Sequence, residues 1–325
     1  MNINNKTVNY EAATCPICEQ RNLSYMFDAR NMDSIVKKQF HVMKCQGCGL
    51  VMTDPRPTED TIGVFYENGI YEEKEKKIKI VLINPVMKLM QAQRLGMIKK
   101  FATRGKLLDV GCGKGKFLQA AAADGWEAWG IEPSLRSVQF IGKDAPFKLI
   151  TGRLEEAELP EGYFDFITMW HTLEHFHRPI ETLRSVYQVM SDNGYLLIRV
   201  PNSDSWDFRI GHGRWFHLDV PRHLYHFSPA SLSTLLGKAG FEIVFSSTSS
   251  IEDNPIGTLQ TLLAIIGLEP GSIFSVFKNQ GSGILKSFNV TALSVALCTP
   301  SLLFSTFAES LGHGGTVTVI AKKCT

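Results

Sequence analysis

The sequence has no long run of charge of one sign. Its 34 lysines and arginines nearly balance its 32 aspartates and glutamates, leaving a net charge of +2. Such a balance gives no strong attraction to a polyanion, so no nucleic-acid partner is expected. The stretch EEKEKKIK at 72–79 is mixed in sign and reads as the solvated face of a helix. The polar opening MNINNKTVNY is not followed by an apolar stretch, which argues against a secretory signal. Repeats and low-complexity segments are lacking. Cysteine is scarce and odd in number, seven in all, and four of the seven sit in two CxxC pairs. A disulfide framework would need a different pattern, so a reducing, cytoplasmic setting is expected. Charge is also missing from Ser287 to Ala308, a stretch long enough to span a bilayer but broken by Asn289, Pro300 and several Ser and Thr residues.

The 325 residues are 44% hydrophobic, enough for a sizeable core and about two domains. Four segments emerge. Residues 1–58 hold the CxxC pairs and end in the proline-rich DPRPTED. Residues 59–100 read as a helical linker. Residues 101–250 alternate strands and helices, the mark of a parallel sheet. Residues 251–325 hold an apolar insertion and a last strand, TVTVIAKK.

CPIC (15–18) and CQGC (45–48) each put two thiols on one knuckle. Two knuckles make a closed tetrahedral site, so Cys15, Cys18, Cys45 and Cys48 are expected to hold a structural zinc ion. A redox CxxC is the alternative, but two pairs occur and no thioredoxin-like strand–helix context surrounds either. Zinc would steady a segment too small to fold alone.

The expected core strands are KLLDVG, EAWGIE, FKLITG, FDFITMW, GYLLIRV, FEIVFSSTSS and TVTVIAKK. The first runs into GCGKGKFL. Glycines at 111, 113 and 115, with Cys112 between the first two, let the backbone turn and approach a ligand, and the next helix points its N-terminus there. A dinucleotide site starts similarly. However, Lys116 stands where a dinucleotide fingerprint wants a glycine. Asp109, before the first glycine, would repel a pyrophosphate and suits a zwitterionic amino acid. Glu132, at the end of the second strand, is placed to accept from both hydroxyls of a ribose.

DVGCGKG, GIEPS and FDFITMWHTLEH resemble successive motifs of class I S-adenosylmethionine (SAM)-dependent methyltransferases over roughly residues 100–250. The resemblance implies a doubly wound, seven-stranded, mostly parallel α/β sheet with the final strand antiparallel. It implies that Asp109, Gly111 and Gly113 flank the methionine end of SAM and that Glu132 binds ribose. Where such enzymes often place an Asp near the adenine, this chain has Arg153 and Leu154, leaving the Leu154 backbone or Glu155 to serve. Trp170 and His171 are expected to wall the methionine end, and Glu174 and His175 of the LEH triplet brace the loop or take part in catalysis.

The stretch 200–229 is long for a loop and rich in His, Trp, Arg and Asp, which suits substrate recognition with an acid–base role. A metal site from His217, Asp219, His223 and His226 is conceivable, without a helical HxxxH pattern to support it. In sugar C-methyltransferases that pair a CxxC module with this fold, the corresponding stretch reads like YHEH followed by an aromatic residue and a serine. VPRHLYHFS is similar, with His223 on the last histidine and Arg222, Pro221 and Val220 replacing the others. His223 is therefore a candidate base. The same resemblance implies that the zinc module lids the substrate cleft, with Tyr66 and Tyr71 lining it.

The insertion carries PIGTLQTLLAIIGL (255–268) and FNVTALSVALCTPSLLF (288–304). A single span would strand the last strand on the wrong side of a bilayer. A helical subdomain is expected, able to touch the inner face of a membrane peripherally through 255–308. The sum is methyl transfer from SAM to a small acceptor, sugar-derived or lipid-linked. A non-catalytic SAM-binding or zinc-bridged protein and a nicotinamide-dependent oxidoreductase are the alternatives.

Overall fold

The computed structural model describes residues 8–29, 38–67, 77–268 and 284–324. Its main sheet has seven strands: β6 (Lys106–Val110), β7 (Glu127–Glu132), β8 (Lys148–Thr151), β9 (Phe164–Trp170), β10 (Met190–Pro201), β12 (Phe241–Ser247) and β13 (Thr316–Lys323). They lie in the order β12-β13-β10-β9-β6-β7-β8. The pairs β6–β7, β6–β9, β7–β8 and β9–β10 are parallel. These are the seven strands expected from the sequence, in a doubly wound order that reverses at β6. Five short strands precede them among the described residues: β2 (Leu23–Ala29), β3 (Phe40–Cys45) and β4 (Val51–Asp54) in a smaller sheet, and the separate pair β1 (Tyr10–Glu11) with β5 (Arg56–Pro57).

The helices follow α1 (Val64–Glu67), α2 (Lys77–Ile98), α3 (Lys116–Ala123), α4 (Leu135–Val138), α5 (Pro179–Val189), α6 (Trp206–Gly211), α7 (Pro229–Lys238), α8 (Asn254–Ile265) and α9 (Ile284–Ser310). In α5, Pro179 occupies the first turn, where no N–H partner is lost, and Glu181 complements the helix dipole. Its buried stripe runs Ile180, Leu183, Val186, Val189, and each such side chain contributes about 1.5–3 kcal/mol by leaving water. Before α7, the Ser228 hydroxyl accepts from the Ser231 N–H, a capping bond. Gly240 follows the helix at φ +88°, a conformation that favours glycine and stops the helix.

The chain divides into two compact units. One gathers Met1–Phe65, Val200–Thr234 and Ser246–Thr318; the other gathers Tyr66–Arg199, Leu235–Phe245 and Val319–Thr325. In the second, α3 and the end of α2 cover β6, with Leu95, Ile98, Leu107, Phe117, Leu118 and Phe166 in one apolar core.

In the first unit the cysteine-bearing sheet is completed from far along the chain. The strand β11 (Tyr225–His226) pairs antiparallel with β4, Tyr225 opposite Met52 and His226 opposite Val51. Phe40, Val42 and Val51 then share a core with Phe208, Trp215, Leu218 and Val220. The insertion is helical where described. In it α8 packs on α9 through Leu263 and Val290, flanked by Leu259 and Leu297. Farther along, Trp206 lies against Phe304 and Phe307. Residues 269–283 and Tyr71 lie outside the described residues.

Candidate active site

The parallel register sets Asp109 of β6 opposite Gly130 of β7 and Thr168 of β9. Asp109 is buried, and the Thr168 hydroxyl donates to its Oδ1 at 2.7 Å. Burial pushes its carboxyl up to about 7, against the lowering pull of Thr168 and the Arg94 guanidinium and with a further push from Glu132. Glu132, also buried, ends β7. One of its oxygens accepts from the Gly113 N–H at 2.8 Å and the other from the Ser134 N–H at 2.9 Å. Burial raises its carboxyl too, while those N–H groups and His175 lower it. Each oxygen has a lone pair beyond the one its N–H uses, which is what a vicinal diol asks of a carboxylate.

The glycine loop explains itself by contact. Gly111, at φ +75°, leaves no room for a side chain, since a Cβ there would meet Thr172 at 2.6 Å. Gly113, at φ +55°, faces open space. One glycine is demanded by the protein's own packing, and the other leaves a cradle that a ligand can fill. Gly115 precedes α3 and abuts Phe147. The Cys112 side chain turns away into the core, its sulfur 2.7 Å from where a Cβ on Gly130 would lie, and burial pushes its thiol well up. Any part Cys112 plays toward a cofactor falls to its backbone.

Trp170 closes β9 between two guanidinium groups, Arg94 at 4.7 Å and Arg199 at 5.0 Å from the ring centre. Sequence reasoning missed both arginines. Arg94 offered one weak signal, a charge set among the apolar positions of α2. Arg199 is a buried cation in the strand GYLLIRV. His171 follows Trp170 at φ +51°, its Nδ1 3.7 Å from Oε1 of the wholly buried Glu174. His175 Nδ1 lies 3.0 Å from the Tyr66 hydroxyl. Leu154 is buried in a short turn, and the Glu155 carboxylate accepts a hydrogen bond from Thr182. The structure thus brings Asp109, Glu132, Gly111, Gly113 and the 170–175 turn to the carboxyl ends of adjacent parallel strands, where open α/β sheets bind ligands.

Residues 86–246 match the family model described as a methyltransferase domain. The chain belongs to the SAM-dependent methyltransferases. Curated relatives include ubiquinone biosynthesis O-methyltransferases. That of Pseudomonas savastanoi pv. phaseolicola is 26% identical over 199 residues, covering 57% of this chain and 82% of the relative. That of Bordetella avium is 29% identical over 169 residues, covering 48% and 69%. Among solved structures, a SAM-dependent methyltransferase from Archaeoglobus fulgidus is 22% identical with a TM-score of 0.47, covering 73% of this chain and 94% of that one. The open cradle at Gly113 and the lone pairs left on the Glu132 carboxylate fit a ligand with a vicinal diol, as SAM has.

His223 belongs to the other unit. Its Nδ1 is 2.8 Å from the His217 carbonyl oxygen, and its own carbonyl accepts from the Thr53 hydroxyl. Asp219 Oδ2 lies 3.8 Å from His223 Nε2, while Arg222 clasps the Asp219 carboxylate with two N–H groups. Thr53 also reaches His226 Nε2 at 3.1 Å.

The four cysteine sulfurs all lie within 4.8 Å of one another, Cys15 and Cys48 at 3.5 Å. Zinc–sulfur arms of about 2.3 Å set tetrahedral sulfurs about 3.8 Å apart, so the cluster fits such an ion. Burial raises the Cys45 thiol, but the backbone N–H groups of Cys48 and Gly47 and the Cys15 and Cys48 thiols outweigh it and bring Cys45 to about 7. Burial and the neighbouring sulfurs push Cys18 to about 11.

Proposed function

We propose that the protein transfers the SAM methyl group to a small sugar-derived or lipid-linked acceptor, with SAM held in the glycine cradle and zinc in the cysteine cluster. Bound SAM would supply an electrophilic methyl carbon, and the protein's task is alignment and removal of the acceptor's proton. In this reading Glu132 takes the ribose hydroxyls, and Asp109 faces the amino group of the methionine end. Ionised by that ammonium, Asp109 would drop below the value that burial gives it. Arg94 and Arg199 are the cations available for the methionine carboxylate, beside the Trp170 and His171 wall. Leu154 and Glu155 would approach the adenine. His223 would take the proton from the acceptor. Glu174 would hold His171, and His175, with Tyr66 on its Nδ1, would complete the catalytic turn. The closed set of four thiols leaves zinc no open position, so its role would be structural.

The observation that carries the acceptor class is the outer face of α9. Its inner stripe, Val290, Ser301, Ser305 and Ala308, is buried. Its outer face is apolar as well, with Val295 72%, Leu302 50% and Leu303 66% exposed and no charge between Ser287 and Ala308. Among the described residues Val290–Ser310 is long and apolar enough to cross a membrane. It nonetheless packs on α8 at one end and on Trp206 at the other, which suits a helix lying against a cytoplasmic membrane face better than a span. The curated relatives are named for ubiquinone biosynthesis, in keeping with an acceptor that has an apolar part. The test incubates purified protein with methyl-labelled SAM and a lysate of the source cells, then partitions the products. Label in the organic phase supports a lipid-linked acceptor. Label confined to water rejects it in favour of a soluble one such as a nucleotide sugar. Flotation with anionic liposomes tests the helix directly; protein that stays wholly at the bottom removes membrane contact.

A further inference from the structure

The segment before His223 runs along α8 in a fixed register. Arg214 donates from a guanidinium nitrogen to the Ile265 carbonyl at 2.8 Å. The Phe216 N–H donates to the Thr261 hydroxyl at 3.1 Å, and that hydroxyl donates to the Gly257 carbonyl at 2.9 Å. The His217 ring lies on Gly257 so closely that a Cβ there would come within 2.4 Å of Nε2. Residues 265, 261 and 257 are one helical turn apart, so each turn of α8 holds one point of the 214–217 segment. Trp215, between them, is fully buried.

This register decides where the His217 carbonyl points, and that carbonyl faces His223 Nδ1. A carbonyl only accepts, so the bond requires the ring hydrogen on Nδ1; in the neutral ring this leaves the lone pair on Nε2, which lies 3.8 Å from an Asp219 oxygen that Arg222 also binds. We propose that Gly257 and Thr261 are positioning residues. Through the His217 carbonyl they fix His223 in the tautomer that presents Nε2 as the proton acceptor. The apolar insertion that carries α8 is thereby part of the machinery rather than an appendage. The proposal rests on His223 being the base, and its test separates the two.

The probe is the full-length protein with 15N-labelled histidine, read by long-range 1H–15N correlation, with the His223 signals identified by their loss in His223→Gln. The expected signature is a proton on Nδ1. Gly257→Ala should turn it into a mixture of tautomers and lower turnover about 100-fold at most, the size expected of a small misplacement, with the SAM dissociation constant unchanged. Gly257 lies within a helix, where alanine is by itself the better helix former, so the effect would not come from a weakened α8. Adding His217→Ala removes the ring and keeps the carbonyl, and should restore the signature. Thr261→Val should disturb it and Thr261→Ser should keep it, which covers the case in which Gly257→Ala fails to fold. A pure Nδ1–H signature that survives both Gly257→Ala and Thr261→Val overturns the proposal. So does a folded double variant that stays mixed. If the signatures behave as expected but His223→Gln transfers methyl normally, the positioning stands and the base assignment falls.

Discussion

The Glu132 carboxylate at the end of β7 and the histidine at 223 are both held by hydrogen bonds to backbone, but from different distances along the chain. Glu132 accepts from Gly113 and Ser134, neighbours in two consecutive motifs. His223 depends on Thr53, His217 and, through them, on Gly257 and Thr261. The first arrangement is local, repeated by parallel strand register, and visible as a motif. The second is assembled from distant segments, Thr53 and His223 being 170 residues apart. A site of the first kind tolerates change elsewhere in the fold, whereas a site of the second kind is vulnerable to it.

The comparison breaks most sharply at the catalytic step. His223→Ala should lower turnover by roughly 100-fold or more while SAM binding, followed by calorimetry, stays within about twofold. Near-normal turnover would remove His223 as base. Glu132→Ala should show the reverse, a loss of SAM affinity of about tenfold to a hundredfold, as expected when a carboxylate's two charge-assisted hydrogen bonds are lost. Unchanged affinity would mean that ribose is held elsewhere. Next in size is Cys45→Ser, which should abolish the one zinc expected per chain and lower the melting temperature; metal analysis showing a full equivalent of zinc in the variant would sink the four-thiolate site.

The smallest effect concerns Asp109 without ligand. Burial holds it at about 7 against an ordinary value of 3.8. Between those values the folded chain keeps a proton that the unfolded chain has lost, so this residue makes stability fall as pH rises through the window. Asp109→Asn should flatten that fall and raise the melting temperature of ligand-free protein at pH 8 by a few degrees, while weakening SAM. An unchanged pH dependence would show that Asp109 is already ionised without ligand.

Much of this was legible beforehand. The strands of the main sheet follow from short apolar runs bounded by glycine. The cap at Ser228 and the stop at Gly240 follow from side-chain and backbone chemistry within a few residues. The four cysteines declare their cluster by spacing. Arg94 and Arg199 were not legible, because a cation in an apolar helix or strand is given meaning only by the indole it flanks. The completion of the cysteine-bearing sheet by Tyr225 and His226 was equally hidden, since a two-residue strand has no periodicity to read.

By itself the sequence determined the glycine cradle, the acid at each of two strand ends and the four-thiol cluster. In each case the partners are near neighbours in sequence, or are brought together by a regular sheet. Only the tertiary structure decided which glycine is required by packing and which leaves room for a ligand, since that depends on what stands opposite: Thr172 for Gly111 and open space for Gly113. It alone set the His217 carbonyl opposite Nδ1 of His223, because the segment that carries that carbonyl is held by a helix from another part of the chain.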